Sequence, residues 1–247
     1  MREASSVRVT TLMDNDPWLE GLRVSWGLSF YVEVFSKGAR HILLMDTGGS
    51  PDLLLENASK LHLNLREVET VFISHWHADH CGALDHLLGI LPTSTPIYFP
   101  SENSSWFRRI REAGKVPIAC AGPVRLMEGV WSTGNLGRGI AEHSLMVNVE
   151  RKGLLLLVGC SHPGVLRILR RAREVSGGSV YGVIGGFHIS SAREGARVGR
   201  ALREMDVRLV SPCHCTRPPA RREIKRVVGE AYVENGVGRV LSIGSLG

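Results

Sequence analysis

Hydrophobic residues in this chain fall into short apolar runs separated by polar, glycine-containing turns. Short runs rich in valine, isoleucine and leucine predict strands, and longer stretches with apolar residues three or four apart predict helices. The predicted strands are 6–13, 28–35, 41–45, 71–73, 97–99, 145–149, 154–158, 180–184, 207–210 and 239–243. The predicted helices are 51–60, 83–91, 102–113, 164–175, 192–205 and 221–228. Residues 114–139 lack such a pattern and are expected to be irregular.

The order of these elements predicts an α/β fold. Strands are followed by helices in both halves of the chain, and hairpins are expected across Lys37-Gly38 and across residues 151–153. The chain has 247 residues with no linker-like or repetitive segment. We therefore expect a single domain that spans residues 1–247.

Candidate metal ligands follow the predicted strands. Six of the ten histidines lie in four short clusters directly after apolar runs. The clusters are Ser-His-Trp-His-Ala-Asp-His at 74–80, Cys-Ser-His at 160–162, Phe-His at 187–188 and Cys-His-Cys at 213–215. A single histidine is usually only solvated or hydrogen-bonded. Ligands at the ends of several strands can converge on one edge of a sheet, so the set predicts a shared metal site.

The spacing within the first cluster indicates two ions. His75 and His77 alternate, so in an extended segment their side chains point the same way and can share one ion. Asp79 and His80 lie beyond the turn and can reach a second ion. A pair of divalent ions can hold a bridging hydroxide, which is typical of hydrolases.

The motif His-x-His-x-Asp-His after a strand, with Asp46-Thr47-Gly48 upstream, resembles the metallo-β-lactamase superfamily. Gly-Cys-Ser-His at 159–162, Gly-Gly-Phe-His at 185–188 and His-Cys-Thr at 214–216 are similar to one branch, the metal-dependent hydrolases of β-lactamase superfamily II. That branch includes the archaeal dihydropterin–ribofuranosylaminobenzene 5'-phosphate synthase. The resemblance covers nearly the whole chain. It implies an α/β fold that is a four-layer αββα sandwich, with two mixed sheets flanked by helices.

The resemblance also implies a metal centre with two divalent ions. Zinc is expected, with iron and manganese as alternatives, because histidine and carboxylate ligands suit all three. The implied ligands are His75 and His77 for the first ion, Asp79, His80 and His214 for the second, and His162 as a further ligand.

Three more residues are expected at or near this centre. Cys160 stands where many superfamily members carry a bridging aspartate, but it is expected to point into the sheet while His162 reaches the metals. His143 is the nearest match to the third histidine of the first ion and is an alternative ligand. Asp46 is expected either to orient a ligand histidine or only to shape its turn.

Asp79 and His188 are the candidate catalytic residues. Asp79 is expected to hold the metal-bridged hydroxide in place. His188 follows two glycines and is interpreted as a substrate-facing acid or base, with a metal ligand or a loop histidine as alternatives.

Substrate contacts are expected from residues 103–139. Arg138 lies in a segment similar to Thr-Gly-x-Ile-Pro-Arg of the branch and is a candidate contact for a phosphate or carboxylate. Trp106, Phe107 and Trp131 are interpreted either as lining a pocket for a flat ring such as a pterin or as packing within a lid.

Composition bounds the cellular setting and the substrate. The net charge of +6 favours an anionic substrate, while the basic residues near 217–226 are interpreted as a solvated helix face. The odd number of cysteines, five, and the lack of an apolar leader or membrane-length run predict a cytoplasmic protein without membrane association. The absence of glutamine favours a thermophilic source. The oligomeric state stays open.

Three enzyme functions and one redox function are compatible with a dinuclear centre. The leading hypothesis is a hydrolase that acts on a small anionic or phosphorylated substrate through a metal-bound hydroxide. A pterin-type condensing synthase of the same branch is the alternative. A metal-dependent nuclease is a third hypothesis, disfavoured because the chain has no aromatic-interleaved basic stretch and no room for the large insertion of β-CASP nucleases, so no nucleic-acid partner is expected. An iron redox protein is disfavoured because those members carry a glutamate in the first motif and a flavin domain.

Overall fold

The computed structural model describes residues 3–137 and 139–245. Within these ranges the strands are β1 (Ser6–Met13), β2 (Ser29–Ser36), β3 (Ala39–Met45), β4 (Thr70–Phe72), β5 (Pro96–Phe99), β6 (Val116–Ala119), β7 (Val124–Met127), β8 (Val130–Ser132), β9 (Leu145–Val149), β10 (Gly153–Val158), β11 (Val180–Gly186), β12 (Leu209–Cys213) and β13 (Val240–Gly244). The α-helices of the same ranges are α1 (Pro51–Lys60), α2 (Ala78–Cys81), α3 (Leu84–Leu87), α4 (Ser104–Glu112), α5 (Val165–Ser176), α6 (Ala192–Glu204) and α7 (Pro218–Val228).

The described strands form two mixed sheets. In the first sheet the order is β13-β1-β2-β3-β4-β5-β6, and β3 to β6 are parallel to one another. In the second sheet the order is β12-β11-β10-β9-β8-β7, and β10, β11 and β12 are parallel. The carboxyl ends of neighbouring parallel strands lie at the same edge of a sheet. The loops after β3 and β4 therefore lie close together in the first sheet, and those after β10, β11 and β12 lie close together in the second.

Alternating side chains along the strands produce the layers. In β2, Phe30 and Val32 face the apolar cluster between the two sheets, whereas Tyr31 faces the outer cluster of the first sheet. The outer cluster of the first sheet includes apolar residues of α1 and α4, and that of the second sheet includes residues of α5, α6 and α7. Each fully buried large side chain contributes about 1.5–3 kcal/mol. The predicted four-layer αββα sandwich with two mixed sheets is confirmed.

After β3, β10, β11 and β12, four residues other than glycine take a left-handed backbone conformation. Asp46, Ser161, His188 and His214 have φ angles of 58°, 59°, 52° and 52°. Residues with a Cβ rarely adopt this conformation, and it costs of order 1–3 kcal/mol at each position. The chain thus turns sharply after β3, β10, β11 and β12, at the edge where the candidate ligands lie.

Most predicted elements form near their expected bounds, and β1 and α1 match the expected ranges. The prediction of irregular chain at 114–139 was wrong, because β6, β7 and β8 form there. Strands of three or four residues are too short to show a clear alternation. The predicted helix 83–91 is helical only at α3, and the first histidine cluster contains the short helix α2.

No helix in the part of the chain that the structure describes is both long enough and apolar enough to cross a membrane.

Candidate metal centre

The side chains that follow the parallel strands meet at one place. Among the described residues, five groups of three ligand-type side chains have all their donor atoms within 4.8 Å of one another. Two of these groups are His75, His77 and His162, and Asp79, His80 and His214. Cys160 belongs to the other three, with His75 and His80, with His214 and Cys215, and with His162 and His188. Two ligand sets therefore adjoin each other, with one thiol close to both.

A buried carboxylate holds His80. The Nδ1 atom of His80 lies 2.7 Å from Oδ2 of Asp46, and both side chains are fully buried. A carboxylate can only accept, so Nδ1 carries the proton and Nε2 presents a lone pair to the cluster. Burial by itself lowers the pKa of His80, but the Asp46 carboxylate outweighs burial and raises it. This position therefore favours a positive charge.

Asp46 also orients His75, through Ser74. The backbone N–H of Ser74 donates to Oδ1 of Asp46, and the Ser74 hydroxyl donates to Oδ2, both at 2.7 Å. Because its proton is used in this way, Ser74 Oγ accepts from Nδ1 of His75 at 2.9 Å. Burial, and next the neighbouring imidazoles, lower the pKa of His75. His75 is thus neutral, as a metal ligand must be.

Glu142 holds His162 and the loop around it. This fully buried carboxylate accepts four hydrogen bonds. Oε1 accepts from the backbone N–H groups of Cys160 and Ser161 at 3.0 and 2.7 Å. Oε2 accepts from the backbone N–H and from Nδ1 of His162 at 2.7 and 2.8 Å. With Nδ1 engaged, Nε2 of His162 is left as the free ring nitrogen.

His214 is held by residues that follow β1. Asn15 Oδ1 lies 3.2 Å from Nδ1 of His214, and Asn15 Nδ2 donates to the His214 carbonyl at 2.9 Å. The amide orientation is fixed because Gly27 N–H also donates to Oδ1. The backbone N–H of His214 donates to Asp14 at 2.9 Å. Nδ1 of His214 is thus the donor, and Nε2 again carries the lone pair.

The resulting arrangement fits divalent ions. Four imidazoles, those of His75, His80, His162 and His214, point Nε2 at a common centre. Nε2 of His80 and Nε2 of His214 are 3.1 Å apart. Two lone pairs at this distance would repel each other, so Nε2 of His80 either carries a proton or shares a metal ion with Nε2 of His214. Imidazoles whose other nitrogen is tied to a carboxylate or carbonyl oxygen are the usual form of metal-bound histidine.

Asp79 and His77 are the remaining members of the two ligand sets. Asp79 Oδ2 lies 3.3 Å from Nε2 of His214 and 3.8 Å from Nε2 of His80. Partial burial acts to raise the pKa of Asp79, but the neighbouring His214 and His80 outweigh burial, so the pKa is lowered and the group is a carboxylate. His77 Nδ1 is 3.1 Å from Nε2 of His75, and His77 is exposed. The first set therefore opens to solvent.

The expected orientation of Cys160 was wrong. Its Sγ atom does not point into the sheet but lies 3.3 Å from Nε2 of His80. Cys215 donates its thiol proton to the Cys160 carbonyl at 3.6 Å. The left-handed turn at Ser161 lets both Cys160 and His162 face the same centre, so the two candidates are not mutually exclusive.

His143 lies away from the cluster. It is fully buried and stacks on Phe72, with ring centroids 3.9 Å apart. Its Nε2 donates to the Ile73 carbonyl at 2.9 Å, and Nδ1 accepts from the Ser132 hydroxyl at 2.8 Å. Both ring nitrogens are engaged, so the alternative that His143 completes the coordination does not fit this arrangement.

The burial of His143 predicts a loss of stability in acid. Burial lowers the pKa of His143 to about 3, against an ordinary value near 6.5. A histidine with a lowered pKa stabilises the fold above its unfolded pKa, and this contribution is lost as the pH falls. At pH 5 the loss is about 2 kcal/mol relative to neutral pH. Urea unfolding at pH 7 and pH 5 should show this drop in the free energy of unfolding of the wild type. In His143→Gln, the drop between the same two pH values should be smaller by about 2 kcal/mol.

Three predicted substrate contacts have different outcomes. His188 is exposed at the rim, with its ring centroid 4.7 Å from that of His162. Arg138 lies outside the described residues. Of the two interpretations of Trp106, Phe107 and Trp131, packing fits better than a pocket lining, because the first two pack into the outer cluster of the first sheet and Trp131 into that of the second.

Sequence reasoning missed Asn15, Trp26 and Glu142. Trp26 is 48% exposed, and its ring centroid is 4.9 Å from that of His214. The Arg217 guanidinium lies 5.1 Å from the same ring centroid. Asn15 follows an apolar run, the signal that marked the other clusters, but an amide does not stand out as a ligand.

Comparison with known proteins finds similar sequences and folds. Residues 27–116 match the family model of the metallo-β-lactamase superfamily. The chain is 28% identical over 236 residues to 7,8-dihydropterin-6-methyl-4-(β-D-ribofuranosyl)-aminobenzene-5'-phosphate synthase of Methanocaldococcus jannaschii, covering 77% of this chain and 80% of that protein.

Two solved structures share the fold. A metal-dependent hydrolase of the β-lactamase superfamily superposes with a TM-score of 0.78 at 24% identity, covering 97% of this chain and all of the other. A metallo-β-lactamase fold protein from Bacillus subtilis superposes with a TM-score of 0.68 at 15% identity, covering 96% and 99% of the two chains.

Proposed function

We propose that this chain, which matches the metallo-β-lactamase superfamily model over residues 27–116 and shares the fold of its members, is a dinuclear metal-dependent hydrolase of a small anionic or phosphorylated molecule. The observation that carries the proposal is the pair of adjoining ligand sets whose imidazole nitrogens face one centre. Zinc is the expected metal, and iron and manganese suit the same ligands. The buried, unpaired cysteines agree with a reducing, cytoplasmic setting.

The proposed roles follow from the two ligand sets. His75, His77 and His162 hold one ion, and Asp79, His80 and His214 hold the other. Cys160 lies within reach of both sets and is an additional ligand. When bound, a pair of divalent ions lowers the pKa of a coordinated water and acts as a Lewis acid on the substrate.

The surrounding residues position these ligands. Asp46, Glu142 and Asn15 fix the rings of His80, His162 and His214 before any ion binds. The Asp79 carboxylate faces the centre from the more exposed side, where it can orient an attacking water. His188 lies at the rim, within reach of a substrate leaving group, and is the proposed proton donor.

A condensing synthase is the second candidate. The relative from Methanocaldococcus jannaschii is a synthase named for a pterin product, and its likeness covers most of both chains. The exposed ring of Trp26 beside His214 offers a face on which a flat heterocycle can stack. In that reaction the metal-binding residues would hold and polarise one substrate. The second substrate would bind beside it.

A reaction screen tests the proposal. Protein loaded with zinc, manganese or iron(II) is assayed with phosphomonoesters, phosphodiesters, lactones, and a dihydropterin with ribofuranosylaminobenzene phosphate. We expect hydrolysis of a small anionic substrate that stops when a chelator removes the metal. Turnover of only the pterin pair would establish the synthase, and turnover of RNA alone would contradict both candidates.

A further inference from the structure

A groove leads from the metal centre between two helices. It has a volume of about 300 Å³ and begins at His162 and His188. Its walls come from α5 and α6, and buried apolar residues such as Val165, Phe187 and Val198 form part of its lining. Organic ligands typically occupy cavities of roughly this size and larger, whereas inorganic phosphate alone needs far less space. The groove thus has room for a molecule that also reaches the histidines.

The walls of this groove are positively charged. Arg167 and Arg170 lie one turn apart on α5, and both are exposed. Within the described ranges, neither side chain has an ion-pair or hydrogen-bond partner. Arg197 of α6 also lines the groove, but Glu194 lies 3.5 Å from its guanidinium and offsets its charge. About two positive charges are therefore left without a protein partner.

We infer that this groove binds the phosphate of a phosphomonoester whose reacting end lies at the metal centre, an inference that rests on the proposed function. A phosphomonoester carries a charge of about −1.5 to −2 at pH 7, which matches two unpaired guanidinium groups, whereas a carboxylate would leave one unmatched. Guanidinium forks suit phosphate oxygens geometrically. The phosphate is thus an anchor held apart from the metals, and another group of the same molecule reacts.

Calorimetric titration of the zinc-loaded protein tests this assignment. The probes are ribose 5-phosphate and ribose, and the variant is Arg167→Gln combined with Arg170→Gln. The matched control is Arg173→Gln, because Arg173 is exposed on the same helix but does not line the groove. We expect ribose 5-phosphate to bind the wild type and Arg173→Gln within twofold of each other. The double variant should bind it roughly 100-fold more weakly, about tenfold for each charge-assisted contact.

Three results would overturn the inference. One is unchanged affinity of the double variant for ribose 5-phosphate, which would place the phosphate elsewhere, such as on the metal ions. Another is equal affinity of the wild type for ribose and ribose 5-phosphate. The third is binding of a single-stranded RNA oligonucleotide without binding of ribose 5-phosphate, which would point to a polynucleotide. Metal content is measured in the same samples. Loss of ribose 5-phosphate binding with the metal still bound is then distinguished from failure of the metal site itself.

Discussion

We expect a His77→Ala variant to lose one or both of the divalent ions of the proposed centre, together with metal-dependent activity. His77 is exposed and contacts the cluster through Nδ1, 3.1 Å from His75. Its removal takes a ligand from the first set without opening a buried cavity, so the fold should be retained. Metal analysis by mass spectrometry after dialysis against metal-free buffer gives the result directly.

The control for this prediction is His86→Ala. His86 is an exposed histidine of α3 that belongs to neither ligand set. It should keep the wild-type metal content. Full metal content in His77→Ala, with a circular dichroism spectrum like that of the wild type, would contradict the assignment of His77 as a metal ligand.

Replacing Glu142 by glutamine will destabilise the protein by about 3 kcal/mol, since hydrogen bonds to a charged acceptor contribute about 1.5–3 kcal/mol each. Glutamine keeps one acceptor oxygen, so two of the four N–H donors that face Glu142 lose their partner. For a chain of this size the melting temperature should fall by about 6–12 °C. The ring of His162 also loses its anchor, so metal affinity should fall about 10–100-fold.

Glu204→Gln provides the matched control, because Glu204 is exposed at the end of α6. It should leave both the melting temperature and the metal affinity unchanged. A Glu142→Gln protein as stable as this control would show that the loop after β10 does not depend on the buried carboxylate.

Local patterns predict the α/β order of the strands and helices and the clusters of ligand-type residues, whereas the four-layer sandwich and the two ligand sets were implied by the resemblance to the metallo-β-lactamase superfamily. Apolar runs mark the strands, and ligand-type residues directly after those runs mark the shared edge. The histidines of three separate loops meet as expected, since β10, β11 and β12 are parallel and end at the same edge. The short strands at 116–132 escaped prediction because three or four residues carry too little periodicity.

Other features depend on tertiary contacts that no local pattern encodes. Glu142 acts on a loop 18 to 20 residues further along the chain, and Asn15 acts on His214 across 199 residues. The direction of the Cys160 side chain depends on the left-handed turn at Ser161. His143 resembles a ligand in sequence, yet its place behind β4 gives both of its nitrogens protein partners.

The metal content of the wild-type protein tests the central claim most directly. Equilibrium dialysis against zinc, with metal and protein quantified in the same sample, should give about two tightly bound ions per chain, because two adjoining ligand sets are present. A stoichiometry near zero would contradict the claim that the facing imidazoles of His80 and His214, 3.1 Å apart, belong to a metal centre.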